Sequence, residues 1–277
     1  MLLLIVSVRK KLRTKFGKDV CAVFGVTTER KKMKVVLLNS AYEISKAVSS
    51  IIIEQIQKKP DSVLGFATGS SPVETYKRII EAYENGEVSL KDITTFNLDE
   101  YCGLEHENEN SYYYFMKDNL FGKTDVDYYN VHFLSGMTGD IEKECASYRE
   151  DIKKAGGIDI QLLGVGTNGH IGFNEPSESF TDGPFKVRLA ESTIKANSRF
   201  FEDGKVPGYA LTMGIGDIMN AKKILLIATG ASKVNAVKQM IEGEVTPHCP
   251  ASILQNHPDA TIFIDSESAA LLSKTDF

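Results

Sequence analysis

Short apolar runs alternate with segments of helical periodicity from residue 34 to residue 265, and this alternation constrains the fold more than any other feature. The segment 34–39 is a β-branched, aliphatic run typical of a buried strand. Ser40 and Glu43 have the spacing of a capping box, and aliphatic residues then recur at helical spacing until Pro60. Strands that alternate with helices of this length favour a parallel sheet covered on both faces.

The same alternation continues to the end of the chain. It predicts strands at 63–67, 93–98, 131–134, 158–164, 224–228 and 261–265, and helices at 72–86, 111–120, 140–155 and 232–242. Pro72 stands at the first position of its helix, where Ser71 and Glu74 have the spacing of a second capping box. The stretch from 165 to about 207 is expected to be irregular. No linker or repeat interrupts the series, so we predict one α/β domain over 33–277, a single doubly wound, mostly parallel, Rossmann-like sheet with helices on both faces.

Charge and cysteine content narrow the functional class. The chain of 277 residues has 32 basic and 37 acidic side chains, which does not favour nucleic acid as a partner, and no apolar run approaches the length of a membrane span. Four widely spaced cysteines form neither CxxC nor CxxH, which indicates free thiols and a cytoplasmic location.

Residues 1–32 carry a net charge of +7. We predict that they are a dispensable basic extension, with a transit-like or binding arm as the alternative.

Two strand-to-helix turns have the composition of anion sites. Thr68, Gly69, Ser70 and Ser71 join a strand to a helix N-terminus, where small residues let backbone N–H groups approach a negative charge. The turn 229–233 has the same character and ends in Lys233. Neither turn is a P-loop, and each could be an ordinary capped turn. Together they indicate a site for one compact phosphate, such as that of a sugar phosphate.

Paired acids close the third predicted strand. Asp99 and Glu100 stand where ligands meet a parallel sheet, at the carboxyl end of a strand. A carboxyl group there can transfer protons if partial burial brings its pKa towards the working pH. The alternative is a helix cap beside a solvated neighbour.

The densest loop is 164–176, which reads GVGTNGHIGFNEP. It contains GxGxxG, but Gly172 and Pro176 interrupt the helix that a dinucleotide fingerprint requires, so nucleotide binding is disfavoured. We expect the glycines to bring Asn168, His170 and Glu175 together. A carboxylate beside an imidazole is typical of acid–base chemistry near neutral pH. Two ligands without helical spacing make a weak metal site, and a purely structural histidine is the alternative.

Five segments taken in order resemble the glucosamine-6-phosphate deaminase (isomerase) family. They are FATGSSP at 66–72, FNLDEYCGL at 96–104, GVGTNGHIGFNEP at 164–176, ANSRFF at 196–201 and ATGASK at 228–233. The resemblance runs from about residue 34 to residue 265. It implies conversion of D-glucosamine 6-phosphate and water to D-fructose 6-phosphate and ammonia, with no metal or organic cofactor.

The resemblance also implies roles for particular residues. Asp99 would move a proton between C2 and C1 of the opened sugar, and His170 would assist ring opening, flanked by Asn168 and Glu175. Many members of the family have Asp at the position of Asn168, and others have Asn. The phosphate site would comprise Thr68, Gly69, Ser70, Ser71, Arg199 and Lys233.

Several alternatives stay open at this level. A 6-phosphogluconolactonase-type hydrolase or a non-catalytic sugar-phosphate sensor would share the fold, and another amino sugar could replace glucosamine. The segment 177–207, which carries Arg199, is expected to be a lid, with an ordinary surface insertion as the alternative. Glu178 and Asp182 follow the NEP motif, where activated members of the family carry basic residues, so we expect no activation by N-acetylglucosamine 6-phosphate. The oligomeric state is not indicated, and a homo-oligomer is left open.

Overall fold

The central sheet has seven parallel strands, as the alternation of strands and helices predicts. The computed structural model describes residues 33–201 and 204–274. Its strands are β1 Lys34–Leu38, β2 Val63–Phe66, β3 Thr94–Asn97, β4 Asp99–Tyr101, β5 Val131–His132, β6 Ile160–Gly164, β7 Phe185–Arg188, β8 Tyr209–Thr212, β9 Lys223–Ala228 and β10 Ala260–Asp265. The large sheet has the order β1-β10-β9-β6-β2-β3-β5. The prediction of an α/β fold built on a parallel sheet is confirmed.

Helices cover both faces of this sheet. They are α1 Ala41–Lys58, α2 Val73–Glu84, α3 Tyr112–Asn119, α4 Ile141–Lys154, α5 Glu191–Asn197, α6 Ile215–Met219 and α7 Val234–Glu242. Apolar side chains of α1, α2 and α3 pack on one face, and those of α4, α6 and α7 pack on the other. Strand residues alternate between the two cores, so that Leu64 and Phe66 face the first and Val63 faces the second.

The two predicted capping boxes have different outcomes. Ser40 Oγ accepts a hydrogen bond from Glu43 N at 3.2 Å, as predicted, whereas Glu43 reaches one residue further back and accepts from Asn39 N at 2.9 Å. The second box is wrong, because Pro72 is itself the N-cap of α2 and makes no side-chain cap. Glu74 instead pairs with Lys77 on the surface of the same helix.

A second, three-stranded sheet was not predicted. Its order is β4-β8-β7, and both pairings are antiparallel. Strand β7 and helix α5 lie within the stretch expected to be irregular, β8 follows that stretch, and β4 follows the strand predicted at 93–98. These strands have three or four residues each, which is too short for hydrophobic periodicity to register.

The first part of the segment 177–207 is fixed to the body of the domain. The N–H groups of Gly216 and Asp217 donate to the carbonyls of Thr181 and Asp182, and Asp182 also pairs with Arg149 at 2.7 Å. Strand β7 is then paired along its length with β8. The lid over 177–207 stays a prediction; within that segment, α5 and Arg199 lie beside the cavity described below.

Two expectations concern other parts of the chain. The basic extension 1–32 lies outside the residues that the structure describes. No helix within 33–201 or 204–274 combines the length and the apolarity needed to cross a bilayer.

The topology itself places a crevice. The chain runs from β2 to β3 to β5 in one direction across the sheet and from β6 to β9 to β10 in the other, so β2 and β6 flank the switch point. Loops that leave the carboxyl ends of two such strands diverge, and the gap between them is the usual ligand site of a doubly wound sheet.

Candidate active site

A cavity of about 210 Å³ opens at this crevice. Its walls come from the loops that follow β2, β3 and β6, from α5, and from Lys233 in the loop after β9. Eight of the ten residues predicted for the site line it, and these are Thr68, Gly69, Ser70, Ser71, Asp99, His170, Arg199 and Lys233. Asn168 and Glu175 do not line the cavity.

The turn after β2 has the features of an anion site. The backbone N–H groups of Gly69, Ser70 and Ser71 have no acceptor among the described residues. Gly69 has φ of +90°, a conformation that favours glycine and turns the chain into α2. The hydroxyl of Tyr76 on α2 donates to Ala67 O at 2.5 Å and so fixes the end of β2 beneath the turn.

Two cations face the same end of the cavity. Lys233 is partly buried, and this burial, together with the neighbouring Arg199, lowers the pKa of its ammonium group. Like charges placed close together are unfavourable unless an anion lies between them. The free amides and the two cations thus surround a region suited to a phosphate group.

The turn after β9 contributes less than its sequence indicates. Gly230 N donates to both oxygens of Asp265, at 3.1 and 3.0 Å, and Ala231 N donates to Glu267 Oε2 at 3.3 Å. These amides are satisfied by carboxylates, so the expectation of two backbone anion turns is corrected to one. From the turn 229–233 only Lys233 lines the cavity.

The paired acids have separate positions. Glu100 is fully buried and accepts hydrogen bonds from the backbone N–H groups of Tyr101, Tyr112 and Tyr113, at 2.8 to 2.9 Å. Two of these donors are the first amides of α3, so Glu100 caps that helix. Burial raises the pKa of Glu100 to about 7 although these donors oppose the shift.

Asp99 faces the cavity instead. Its residue is only 6% exposed, and burial followed by the charge of Glu100 raises the pKa of its carboxyl group. Strand β4 fixes its backbone, because Asp99 pairs with Thr212 of β8. A carboxylate that is largely shielded from water is a stronger base than a solvated one, as proton abstraction requires.

The glycine loop after β6 is compact and contains no helix between 165 and 176. A Cβ on Gly166 would lie 2.2 Å from the ring of His170, so only glycine lets the ring occupy its position. The loop closes on itself, with Gly166 N donating to His170 O at 2.8 Å. Because no helix opens here, GxGxxG is not a dinucleotide turn, as the sequence predicts.

Asn168 and Glu175 stand behind His170. Asn168 Nδ2 donates to Glu175 Oε2 at 2.7 Å, and the same oxygen lies 3.4 Å from His170 Nδ1, within ion-pair distance but without an aligned hydrogen bond. The other oxygen, Oε1, accepts from Thr193 Oγ1 at 2.5 Å. The sequence correctly predicts that Asn168, His170 and Glu175 come together, but only the imidazole reaches the cavity.

Burial and hydrogen bonding shift the pKa of Glu175 in opposite directions. Burial raises the pKa of its carboxyl group, but the neighbouring His170 and the hydrogen bonds from Thr193 and Asn168 outweigh burial and lower the pKa to about 2. Glu175 is therefore an anion at neutral pH, facing the imidazole from the side away from the cavity.

Several residues of the site were not predicted from the sequence, among them Tyr101, Asn197 and Thr193. Tyr101 and Asn197 line the cavity and are joined by a hydrogen bond of 2.9 Å from Asn197 Nδ2 to the Tyr101 hydroxyl. Thr193, on α5, contacts Glu175. Tyr101 directly follows the acid pair, which could have marked it. Nothing in the sequence distinguishes Thr193 from other threonines.

Sequence comparisons give a consistent result. The family described as glucosamine-6-phosphate isomerases/6-phosphogluconolactonase matches residues 39–263. A curated relative from Thermoanaerobacter pseudethanolicus (strain ATCC 33223 / 39E), named glucosamine-6-phosphate deaminase, is 49% identical over 245 residues, which cover 88% of this chain and 97% of the relative. A protein of the same name from Clostridium botulinum (strain Alaska E43 / Type E3) is 49% identical over 246 residues, covering 88% and 99%.

Solved structures agree with the fold. One described as a monomeric glucosamine-6-phosphate deaminase superposes with a TM-score of 0.84 at 43% identity, covering 86% of this chain and all of the other. A 6-phosphogluconolactonase from Trypanosoma brucei superposes with a TM-score of 0.72 at 21% identity, covering 87% and 99%. The second likeness reflects the shared fold alone.

Proposed function

The chain belongs to the glucosamine-6-phosphate isomerase/6-phosphogluconolactonase family, and we propose that within it the protein is a glucosamine-6-phosphate deaminase. It converts D-glucosamine 6-phosphate and water to D-fructose 6-phosphate and ammonia, an aldose–ketose isomerisation coupled to hydrolytic deamination. Relatives of this name at 49% identity across most of the chain support the assignment.

The phosphate of the substrate is assigned to the turn after β2. The free N–H groups of Gly69, Ser70 and Ser71 would donate to its oxygens, with the hydroxyl of Thr68 beside them, while Lys233 and Arg199 balance its charge. Fixing the phosphate at one end of the cavity orients the reacting carbons relative to Asp99 and His170.

The chemistry then needs one proton carrier and one ring-opening group. His170 assists transfer of the proton that opens the sugar ring and exposes the C1 aldehyde. Asp99 removes the proton at C2 and returns it to C1, while a second proton passes from the C2 amino group to O1. The aldehyde thereby becomes an alcohol and the C2 amine becomes an imine. Water adds at C2, ammonia leaves, and the C2 ketone of fructose 6-phosphate remains.

One observation supports this assignment above the others. Asp99 is largely buried, yet it faces the same cavity as the imidazole of His170, while an anion turn and two cations line that cavity too. A base, an acid–base imidazole and a phosphate site within about 210 Å³ match the size and the chemistry of a hexose phosphate.

Product analysis of wild type and Asp99→Asn tests the proposal. Purified protein is incubated with glucosamine 6-phosphate without added metal, and ammonia and fructose 6-phosphate are both measured. Wild type should release them in equal amounts. Asp99→Asn keeps the shape of the side chain but not its basicity, so kcat should fall by about 100-fold or more.

Other results would separate the alternatives. A folded wild-type protein that makes neither product contradicts the deaminase assignment, and hydrolysis of 6-phosphogluconolactone by the same sample would favour the lactonase. Faster turnover of galactosamine 6-phosphate would change the substrate but not the reaction class. Asp99→Asn with full activity would leave the enzyme assignment standing and remove Asp99 as its base.

The cellular setting follows from the same proposal. We assign the enzyme to the cytoplasm, where cysteines remain reduced. Cys102, Cys145 and Cys249 are free thiols, as that assignment requires. The oligomeric state is left open, as in the sequence analysis.

A further inference from the structure

The two oxygens of the Glu175 carboxylate contact two different parts of the protein. Its oxygen Oε2 faces the loop after β6, where it contacts Asn168 and lies beside His170. Its oxygen Oε1 faces α5, where it accepts from Thr193 Oγ1 and, at 3.4 Å, from Ala190 N. One carboxylate thus connects the histidine loop to a helix that belongs to neither the central sheet nor that loop.

Thr193 is the residue of α5 whose side chain contacts this carboxylate. It is 4% exposed and is the buried residue of α5. The helix has no side-chain cap at Ala190, and the N–H of Ala190 itself donates to Glu175. A hydroxyl donor buried against a carboxylate fixes the rotation of that carboxylate, because turning it would leave both groups unpaired.

The same helix reaches the phosphate end of the cavity. Asn197, in its last turn, donates to Tyr101, and Arg199 follows two residues later at the cavity wall. Displacing α5 would therefore separate Thr193 from Glu175 and move Arg199 at the same time. The position of the carboxylate beside His170 depends on the packing of α5, the helix that precedes Arg199.

We propose that Thr193 is a positioning residue. Its hydroxyl holds Glu175 beside His170, so the imidazole acts in the reaction only when α5 is packed in place. Thr193 lines the cavity, and its hydroxyl donates to Glu175. It acts on the reaction through that carboxylate. The kinetic part of the proposal rests on the deaminase function.

The test compares Thr193→Val with Thr193→Ser. Valine keeps the shape and loses the donor, and serine keeps the donor. We expect kcat to fall about tenfold in Thr193→Val with KM within about twofold of wild type, because one charge-assisted hydrogen bond is worth about this factor. Thr193→Ser should restore most of kcat. Lys195→Ala, an exposed change on the same helix, should match wild type.

A double-mutant cycle with Glu175→Gln separates positioning from simple support of the helix. If Thr193 acts through Glu175, adding Thr193→Val to Glu175→Gln should lower kcat by less than twofold further, since the two changes break one unit. A full tenfold further loss would overturn the proposal. So would a rise in KM at unchanged kcat, which would mean that Thr193 only seats α5 and Arg199.

A spectroscopic readout does not depend on turnover. The ring resonances of His170, assigned by their absence in His170→Gln, should move at fixed pH in Thr193→Val and remain in place in Lys195→Ala and Thr193→Ser. Unchanged His170 resonances in Thr193→Val would overturn the proposal even if wild type proved inactive on glucosamine 6-phosphate. The failure of the proposed function and the failure of this inference are therefore distinguishable.

Discussion

Glu175 is held as an anion by its neighbours, and this should be visible in the stability of the protein in acid. The pKa of its carboxyl group is about 2 in the fold, against an ordinary value of 4.5. The unfolded chain therefore binds the proton more readily, so ionised Glu175 stabilises the fold above about pH 4.5. This stabilisation is lost as the pH falls from there towards 2.

We expect Glu175→Gln to flatten the acid side of the stability curve. A shift of this size corresponds to roughly 3 kcal/mol across the whole window, of which about 2 kcal/mol is lost by pH 3. Urea unfolding at pH 7 and pH 3 should show that wild type loses about 2 kcal/mol more than Glu175→Gln. Glu178→Gln, at an exposed position of the same segment, serves as the control. Equal losses in wild type and Glu175→Gln would contradict the expected ionisation.

The residue types at the site could be predicted from the sequence, and several of their partners could not. Asp99, His170 and the turn at Gly69 are marked by their position after strands, where a parallel sheet places ligands. Thr193 is 18 residues from its partner Glu175 and lies on a helix that was not predicted. Contacts of this kind depend on how a short element packs, and no local pattern records them.

At the scale of the element, the conformation of the glycine loop after β6 requires that residue 166 has no Cβ. A Cβ at Gly166 would overlap the ring of His170 at 2.2 to 2.4 Å, and no backbone strain is involved, since φ at Gly166 is not positive. The ring must therefore move if alanine is introduced.

Gly166→Ala should lower kcat more than it lowers stability. We expect a loss of about 30-fold or more in kcat, since a displacement of about 1 Å at a reacting group is costly, with a stability change of about 1–3 kcal/mol from overpacking. Gly208→Ala, where a Cβ meets nothing within 4 Å, is the matched control and should change neither quantity. Kinetics and thermal unfolding of both variants make the measurement. A fully active Gly166→Ala would show that the ring tolerates displacement.

Elements differ in how well the sequence predicts them. The inner strands of the parallel sheet are largely buried on both faces, and apolar runs predict the strands of this sheet to within about two residues. The strands β4, β7 and β8 are short, and Phe185–Arg188 alternates between partly buried and exposed side chains, so their pairing is fixed by tertiary contact. The capping box at Ser71 fails for a similar reason, because Pro72 takes the cap position.

At the scale of the whole molecule, the carboxyl ends and the amino ends of the strands have different roles, one in binding and chemistry and the other in stability. The carboxyl ends of β2, β6 and β9 carry the site. At the amino ends of the same strands Asp159, which is buried, pairs with Lys59 and Lys222 at 2.6 Å each and accepts from Val63 N at 2.8 Å. A strand of five residues separates the two ends by roughly 15 Å.

Asp159→Asn should therefore destabilise the protein without changing its chemistry. Removing the charge leaves two lysines without their anion, which we expect to cost about 2–4 kcal/mol since the lysines remain partly in water. The kcat of the folded variant should stay within about twofold of wild type. Urea unfolding and steady-state kinetics check both statements. Asp61→Asn, an exposed change nearby, is the control, and a large loss of kcat in Asp159→Asn would show that the two ends are coupled.

The order of strands also has a consequence for biosynthesis. Strand β1 pairs with β10, so that Lys34 meets Thr261, and the ribosome must add more than two hundred residues before this partner exists. At about 5–20 residues per second the first strand waits for roughly ten to forty-five seconds. During this interval its aliphatic edge has no neighbour, and a nascent chain in that state is a natural client for a chaperone.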